Sequence, residues 1–401
     1  MPGILDGLKV VDAGSFLAGP CAATIMSDYG AEVIKVEPLT GDRHRTIAAG
    51  HPIDHSWQLT GRNKRSLALD IGTDAGRGVL MELLQDADVL VVNFSASRLK
   101  RFGLTFEELH AHNPRLILGQ ISGYGLKGPD ADRRAFDLTG WFARTGILDM
   151  MHDKDIAPSM PAGGVGDHAT ALSLFSGLML ALRKRDQSGL GSMVDTSLAA
   201  TGTWANGLNL QATMTGADAI PRRDKEGWSN PLTNVYTCAD GRHLMLGVQN
   251  AKKDWPDLAR ALRRPQWLED ERFSNIRTLF KNRFEALAEF RAAFAELTVA
   301  EACERLDAAG IVHSKVYKNA EVVVDPQLLA NGVVVATDSD EPGYDRALAT
   351  PFNISAEPQR VPGRAPAIGQ HSLEILREHG LDDAAIADLI EQGIVGAKNP
   401  S

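Results

Sequence analysis

The chain has 401 residues, 44% of them hydrophobic and 23% charged, which predicts a folded protein with a large core in two lobes rather than a disordered chain. A net charge of −9 argues against general nucleic-acid binding, which needs a basic face, so any polyanionic ligand has to be small and met by local positive charge. No apolar run is read as reaching the ~18 residues that span a bilayer, residues 1–7 lack the pattern of a signal peptide, and Cys21, Cys238 and Cys303 form no CxxC pair, so the expectation is a cytoplasmic protein with packing thiols, no membrane contact and no disulfide framework.

The first elements form the clearest supersecondary pattern. Residues 8–12 read as a buried strand, Gly19-Pro20 opens an apolar helix that Gly30 stops, and 31–37 read as a second strand. Strand, helix and strand in this order predict a parallel sheet with right-handed crossovers. The pattern continues with a strand at 66–70, a helix at 75–85 and a strand at 89–93. Thr105 and Glu108 then form a capping box, and a further strand follows at 116–121. Gly163-Gly164-Val165-Gly166-Asp167 runs into an apolar helix at 169–182, followed by a strand at 191–197 and another apolar segment to about residue 214.

The character changes beyond this point. Residues 221–230 are polar, and 234–238 and 243–248 flank Asp240-Gly241 as a hairpin. Amphipathic helices at 253–263, 283–296 and 299–309 complete a smaller α+β unit. Residues 331–401 carry a strand or two, a Pro-rich stretch and helices at 371–379 and 382–392. The fold class is α/β, with 1–214 as the first part of a large domain, 225–325 as a small α+β domain and 326–401 as a segment returning to the large one.

Several constellations bear on chemistry. Glu37 ends the first βαβ unit where an acid binds a ribose hydroxyl, but Gly14 and Gly19 do not make GxGxxG, so a nicotinamide or flavin site is disfavoured and Glu37 reads as a strand-end surface residue. His44, His51, His55, His110 and His112 lack a placed third ligand, so no metal is expected. Cations cluster near strand ends: Lys64 and Arg65, then Arg98, Lys100 and Arg101 after Asn93-Phe94, then Arg133 and Arg134. In an acidic protein this pattern points to a phosphate-bearing ligand at the carboxyl ends of the strands. Asp167, where flexible backbone becomes helix, reads either as a helix cap or as a nucleophile kept ionised by the helix dipole, with the N–H groups of residues 163–169 able to hold an oxyanion.

Taken together, Val10-Val11-Asp12, Ala18-Gly19-Pro20, residues 30–37, Asn63-Lys64-Arg65-Ser66, Asn93-Phe94, Ser122-Gly123-Tyr124-Gly125, Ala135-Phe136-Asp137, Gly166-Asp167 and residues 365–371 resemble the class III CoA transferases of the CaiB/BaiF group. This group also contains formyl-CoA transferase and the α-methylacyl-CoA racemases. The resemblance spans nearly the whole chain and is strongest over residues 8–200. It implies a Rossmann-like parallel sheet built from N- and C-terminal segments, and an interlocked homodimer. It makes Asp167 the nucleophile, and it places Ser15, Phe16, Leu17, Ala18, Lys64, Arg65, Asn93, Phe94, Arg101 and Arg134 at a CoA site, with Asn93 and Phe94 offering amide and ring to adenine.

The implied substrates are an acyl-CoA and a small carboxylic acid, with no tightly bound cofactor. Asp137 is either a cap for its own helix or a substrate-orienting acid, and Arg144 either meets a substrate carboxylate or pairs with a structural acid. Pro38 stands where formyl-CoA transferase has a basic residue, and that enzyme's glycine-rich loop is not reproduced at Lys225 to Trp228, which disfavours oxalate or formate. In the racemase branch a histidine precedes the Asp137-like position; Phe136 cannot carry a proton, and His168 points some 100° from Asp167 on a helix. The alternatives are a racemase-like isomerase, a noncatalytic acyl-CoA binder and, more distantly, a nicotinamide oxidoreductase.

Overall fold

The computed structural model describes residues 3–48, 50–153, 155–217, 230–248 and 250–397. They form two compact units. The first takes residues up to Asp149, Met160–Ala217 and those from Pro326 onward; the second takes Met150–Ser159 and the described residues up to Asp325. Residues 150–159, assigned from sequence to the large domain, therefore group with the second unit. Position 225, where the sequence reading starts the small domain, lies outside the described residues, as does the stretch Lys225 to Trp228.

The first unit begins with β1 (Lys9–Asp12), α1 (Ala18–Asp28), β2 (Glu32–Glu37), α2 (His55–Gly61), β3 (Arg65–Leu69), α3 (Asp74–Leu84) and β4 (Val89–Val92). Then come α4 (Ala96–Phe102), α5 (Phe106–His112) and β5 (Ile117–Ser122), with both halves of the Thr105/Glu108 capping box formed. A π-helical segment (Leu138–Ala143), α6 (Ile147–Met150), α7 (Val165–Ser188), β6 (Met193–Ser197), α8 (Leu198–Ala205) and α9 (Gly207–Met214) follow. The second unit holds an antiparallel sheet of β7 (Thr233–Thr237), β8 (His243–Gly247) and β9 (His313–Lys315), together with α10 (Ala251–Ala261), α11 (Ile276–Lys281), α12 (Arg283–Ala295), α13 (Val299–Ala308) and α14 (Asn319–Val322). Its core is aromatic: Trp255 and Trp267 stack on Phe290, and Tyr236 stacks on Phe294 at 4.6 Å.

The chain then adds α15 (Pro326–Ala330), β10 (Val334–Ala336) paired with β11 (Arg346–Leu348), α16 (Ser372–Glu378), α17 (Asp383–Glu391) and β12 (Val395–Gly396) to the first unit. The large sheet has seven strands in the order β12-β3-β2-β1-β4-β5-β6, all neighbours parallel except β12, which runs antiparallel to β3. The fold is thus mixed α/β with a parallel-dominated sheet. β4, Val-Leu-Val-Val, is buried throughout because helices cover both faces. From β1 the order runs outward to β2 on one side and to β4 on the other, so the topological switch point, where open α/β sheets hold ligands, lies between β1 and β4.

The helix read from sequence at 169–182 is longer in the structure. α7 has 24 residues and is the one helix among those described that is long and apolar enough to cross a membrane by length and composition. Leu174 and Leu178 on its buried face pack over Gly119 of β5, where an added Cβ would stand 3.0 Å from Leu178 Cδ2.

Beneath the switch point runs a buried ion network. Lys64 Nζ donates to Asp12 Oδ2 at 2.9 Å and to the Pro20 carbonyl at 2.7 Å, while Lys35 Nζ lies between Asp12 at 3.7 Å and Asp42 at 3.1 Å and donates to the Gly14 carbonyl. Glu37 accepts from Ser66 Oγ at 2.6 Å, from Arg45 and from the Asp42 N–H. Glu37 is 2% exposed, so its reading as a surface residue is corrected: it faces inward because Arg45, held over the Trp57 ring, compensates its charge.

Removing one partner of such a network strands a buried charge. Lys35→Met is expected to cost about 3–5 kcal/mol, read as a lower urea midpoint, whereas Lys9→Met, whose surface pair with Asp86 is half exposed, should cost no more than about 1 kcal/mol. Equal losses in the two variants would contradict the network's role.

Candidate active site

The turn after β1 is held from every side. Gly14 N–H donates to Asp12 Oδ1 at 3.1 Å, Ser15 N–H to Asn93 Oδ1 at 3.0 Å and Phe16 N–H to Asp42 Oδ1 at 3.1 Å, while Asn93 Nδ2 donates to the Ser15 carbonyl at 2.7 Å. Phe16 adopts φ 63, a left-handed conformation that costs a side-chain-bearing residue about 1–3 kcal/mol and persists only where its surroundings impose it. Ser15, Phe16 and Leu17 thereby stand at the carboxyl end of β1, joined to the end of β4 through Asn93. Leu17 then leads into α1, whose N-terminus carries no side-chain cap.

Sequence reasoning places Asn93 and Phe94 against a ligand. In the structure both ends of the Asn93 amide bond the Ser15 backbone, and Phe94 is buried beneath Arg98, whose guanidinium lies 4.2 Å from the ring centroid. Asn93 builds the turn and Phe94 packs against Phe102 in the core, so neither presents a free amide or ring face. Lys64 is corrected in the same way, since its ammonium is buried on Asp12. Arg65 is at the start of β3, level with Val11 inside β1 and below the Ser15 turn, and pairs with Glu32, Glu374 and Glu378. Adjacency in sequence to a strand end did not say which end of the strand it was.

Arg98 and Arg101 on α4 and Arg134 beyond β5 are exposed cations, none with a carboxylate in ion-pair reach among the described residues. Partial desolvation of its guanidinium, which lies over the Phe94 and Phe102 rings, and then the neighbouring Arg101 and Arg134 guanidiniums, hold Arg98 below the usual arginine range. Arg98, which the sequence reading noted in a basic cluster without assigning it a role, is therefore the member that ties the other two into one positive patch.

α7 descends from the carboxyl edge of the sheet, because its other end feeds the start of β6, which runs parallel to β5. Its first turn therefore lies at the same edge as the Ser15 turn. Contacts agree: Leu17 Cδ2 lies 3.0 Å from the Cβ position of Gly164, Phe16 meets the exposed Phe136 ring edge-on at 5.5 Å, and Cys21 Sγ is 3.8 Å from His168 Nδ1. Gly166 is obligatory, since a Cβ there would stand 2.5 Å from Trp141 Cγ.

Asp167 is the third residue of α7, inside the helix and not its cap. It is partly exposed and makes no hydrogen bond or ion pair among the described residues. The capping is done by Asp137, whose Oδ2 accepts from Gly164 N–H at 2.6 Å and Gly166 N–H at 3.2 Å. Asp137 thus caps Asp167's helix and makes no cap for its own segment, and two of the N–H groups expected to face an oxyanion are already taken. Val165 and Asp167 N–H remain as orphan donors of the first turn. Burial, and then the Asp137 carboxylate, push Asp167 up to about 7, against the expectation that the helix dipole alone keeps it ionised. Arg144 already has an acid: Asp130 at 2.9 Å. Among the described residues no cluster of His, Cys, Asp or Glu is arranged to hold a metal.

Comparison with known proteins bears on this arrangement. The profile of CoA-transferase family III matches residues 5–372. The chain is 30% identical over 398 residues to the (R)-2-hydroxy-4-methylpentanoate CoA-transferase of Clostridioides difficile, covering 98% of this chain and 99% of that one. It is 31% identical over 389 residues to the succinyl-CoA–D-citramalate CoA-transferase of Chloroflexus aurantiacus, covering 94% of each. The crystal structure of a CaiB/BaiF family protein from Brucella suis matches at a TM-score of 0.84 and 27% identity, covering 94% of this chain and all of that one (100%).

The raised Asp167 has a consequence for stability. An unfolded aspartate loses its proton near pH 3.9, about three units before the native one, so native stability falls as pH rises through that window and the loss is complete above about 7. Asp167→Asn carries no such proton. Its melting temperature should gain on the parent progressively from about pH 4 to about pH 7 and hold that gain above; a difference that does not vary with pH would contradict the assignment.

Proposed function

The chain belongs to CoA-transferase family III, and from that premise we propose that it moves CoA from an acyl-CoA to a carboxylic acid through covalent intermediates on Asp167. The observation that carries this reading is an unpaired, partly exposed carboxylate in the first turn of α7, at the sheet edge where the Ser15 turn and the positive patch also lie. Exchange of one thioester for another of similar energy needs no ATP, but the two acids need a relay.

In the proposed sequence the Asp167 carboxylate attacks the donor thioester carbonyl. The C–S bond breaks, leaving a mixed anhydride and CoA thiolate. The thiolate attacks the Asp167 carbonyl, the donor acid leaves as carboxylate, and an aspartyl-CoA thioester remains. The acceptor carboxylate then attacks that thioester and expels CoA thiolate, giving a second anhydride, and attack of this thiolate on the acceptor's carbonyl yields the new acyl-CoA and releases Asp167 as carboxylate. Val165 and Asp167 N–H are the backbone donors offered to the oxyanions, each worth roughly 3–4 kcal/mol when well aligned.

Arg98, Arg101 and Arg134 supply charge for the CoA phosphates, and the start of α1 at Ala18, which has no side-chain cap, supplies further N–H groups at the same sheet edge. Ser15, Phe16 and Leu17 form the wall next to Asp167, with Asn93 behind them as its support. Arg144 would have to release Asp130 before it received a substrate carboxylate. The acceptor class to test first is the 2-hydroxy acid named for the Clostridioides difficile relative. An interlocked homodimer belongs to the same reading; the exposed Trp204 and Leu208 on α8 and α9 supply apolar surface for a second copy. A racemase is disfavoured because Phe136 has no proton to exchange.

Incubation with acetyl-, succinyl- or cinnamoyl-CoA followed by hydroxylamine and peptide mass analysis should place a modification on the Asp167 peptide. Asp167→Ala should lose transfer by at least about 10³-fold while CoA affinity stays within a few-fold. Substantial turnover by that variant, or α-deuterium exchange without labelling, would reject covalent transfer.

The acid limb of kcat/KM should fall as pH drops through about 7, because the attacking species is the carboxylate. A limb centred near pH 4 would mean that Asp167 titrates as an ordinary aspartate.

A further inference from the structure

α7 has no means of capping itself. Its N-cap, Gly164, is left-handed at φ 91 and has no side chain, a Cβ at 164 would stand 3.0 Å from Leu17 Cδ2, and one at 166 would run into Trp141. The acceptor for the free N–H groups must come from another element, and Asp137, 27 residues before Gly164, supplies it. Asp137 is 3% exposed, and Oδ2 takes both N–H groups. Satisfying a helix N-terminus in this way stabilises the helix. Its second effect is electrostatic: the cap is itself an anion, so it offsets the positive end of the helix just where Asp167 would draw on it.

We propose that Asp137 is a positioning residue for Asp167: it fixes the turn from which Asp167 projects, and it sets a negative charge against that carboxylate which acylation relieves. This rests on the reading of Asp167 as nucleophile. Before reaction two carboxylates share the N-terminus of α7. In the acyl anhydride and in the aspartyl-CoA thioester Asp167 is neutral, so the repulsion is present in the free enzyme and absent from both intermediates. An aspartate with greater proton affinity is also the stronger nucleophile once ionised. Asp137 itself needs no bond to substrate, and its buried position suits that role.

The other groups facing Asp167 do not duplicate this effect. From α1 comes Cys21, whose thiol burial pushes up to about 12, so it stays neutral over the working range. His168 follows on α7 with Nδ1 toward Cys21. Among the described residues no cation pairs with Asp167.

The test is a melting-temperature cycle on the full-length protein without substrate, comparing the parent, Asp167→Asn, Asp137→Asn and the double variant from about pH 5 to about pH 9. Asparagine is isosteric, and its amide oxygen still accepts from Gly164. The stabilisation that Asp167→Asn confers at about pH 8 should fall by roughly a third in the Asp137→Asn background, because burial is the larger cause of the raised Asp167 and persists there; an equal gain in both backgrounds overturns the proposal. If Asp137→Asn does not fold, Asp137→Glu, which keeps the charge, takes its place. The gain from Asp167→Asn should then persist with its parental pH window, and its disappearance overturns the proposal.

With whichever donor labels Asp167, Asp137→Asn should lower kcat by about ten-fold, leave KM for the acyl-CoA within about three-fold, and move the acid limb of kcat/KM down by about one pH unit. A merely structural Asp137 would leave that limb in place. Because the melting cycle uses no acyl-CoA, its failure is separate from a failure of Asp167 to be labelled.

Discussion

The ion network under the switch point of the large sheet is the constraint on which the rest of the site depends. Lys35 and Lys64 share Asp12 between them, Asp42 completes Lys35's partners, and three members of this set also hold the turn after β1: Asp12 the Gly14 N–H, Lys35 the Gly14 carbonyl and Asp42 the Phe16 N–H. Charges out of water are tolerated only when paired and hydrogen-bonded, so none of these groups is free to move without exposing another. The left-handed Phe16 is thereby kept in place, and Phe16 and Leu17 in turn border Phe136 and Gly164 at the head of α7.

The site follows from a division of labour between rigid and unpaired groups. Gly164 and Gly166 let the backbone of α7 run under Leu17 and Trp141, Asp137 meets the N–H groups this exposes, and Asp167 is left with no hydrogen-bond or ion-pair partner among the described residues. On the other side of the Ser15 turn, Arg98 stands against Arg101 and Arg134, and none of the three has an acid in ion-pair reach among the described residues. An uncompensated anion and an uncompensated cationic patch on one sheet edge are costly in the free protein. On the proposed reading, a bound ligand with phosphates and an electrophilic carbonyl would recover both costs, which is the logic of a preorganised site.

Much of the architecture was legible from short-range pattern. The βαβ units, the Thr105/Glu108 capping box and the Asp240-Gly241 hairpin depend on neighbours a few residues apart, and they stand within a residue or two of where periodicity put them. The parallel sheet was readable for the same reason, since buried apolar strands separated by helices admit few other arrangements. The end of α7 was missed because the run from Arg183 to Ser188 is polar; the helix continues there along the surface, with Arg185 turned inward to Asp88. The third short strand of the C-terminal segment, β12, is only Val395–Gly396, too brief for any alternation to declare it; it exists because the edge of β3 offers it a partner.

Among the site residues, sequence by itself determined which chemistry was present: a carboxylate after a glycine run, arginines after strand ends, and a phenylalanine where a base would be needed. What the tertiary structure alone decided was which of those groups remain free. Lys64 and Glu37 look exposed in a linear reading and are consumed in the core, Arg65 lies at the wrong end of its strand, Asn93 spends its amide on the Ser15 backbone, and Asp137 reaches across to another helix. Residue type and local spacing fix what a side chain can do. Whether it is spent on the fold or left for a ligand depends on partners brought near from tens or hundreds of residues away, and no short window of sequence contains them.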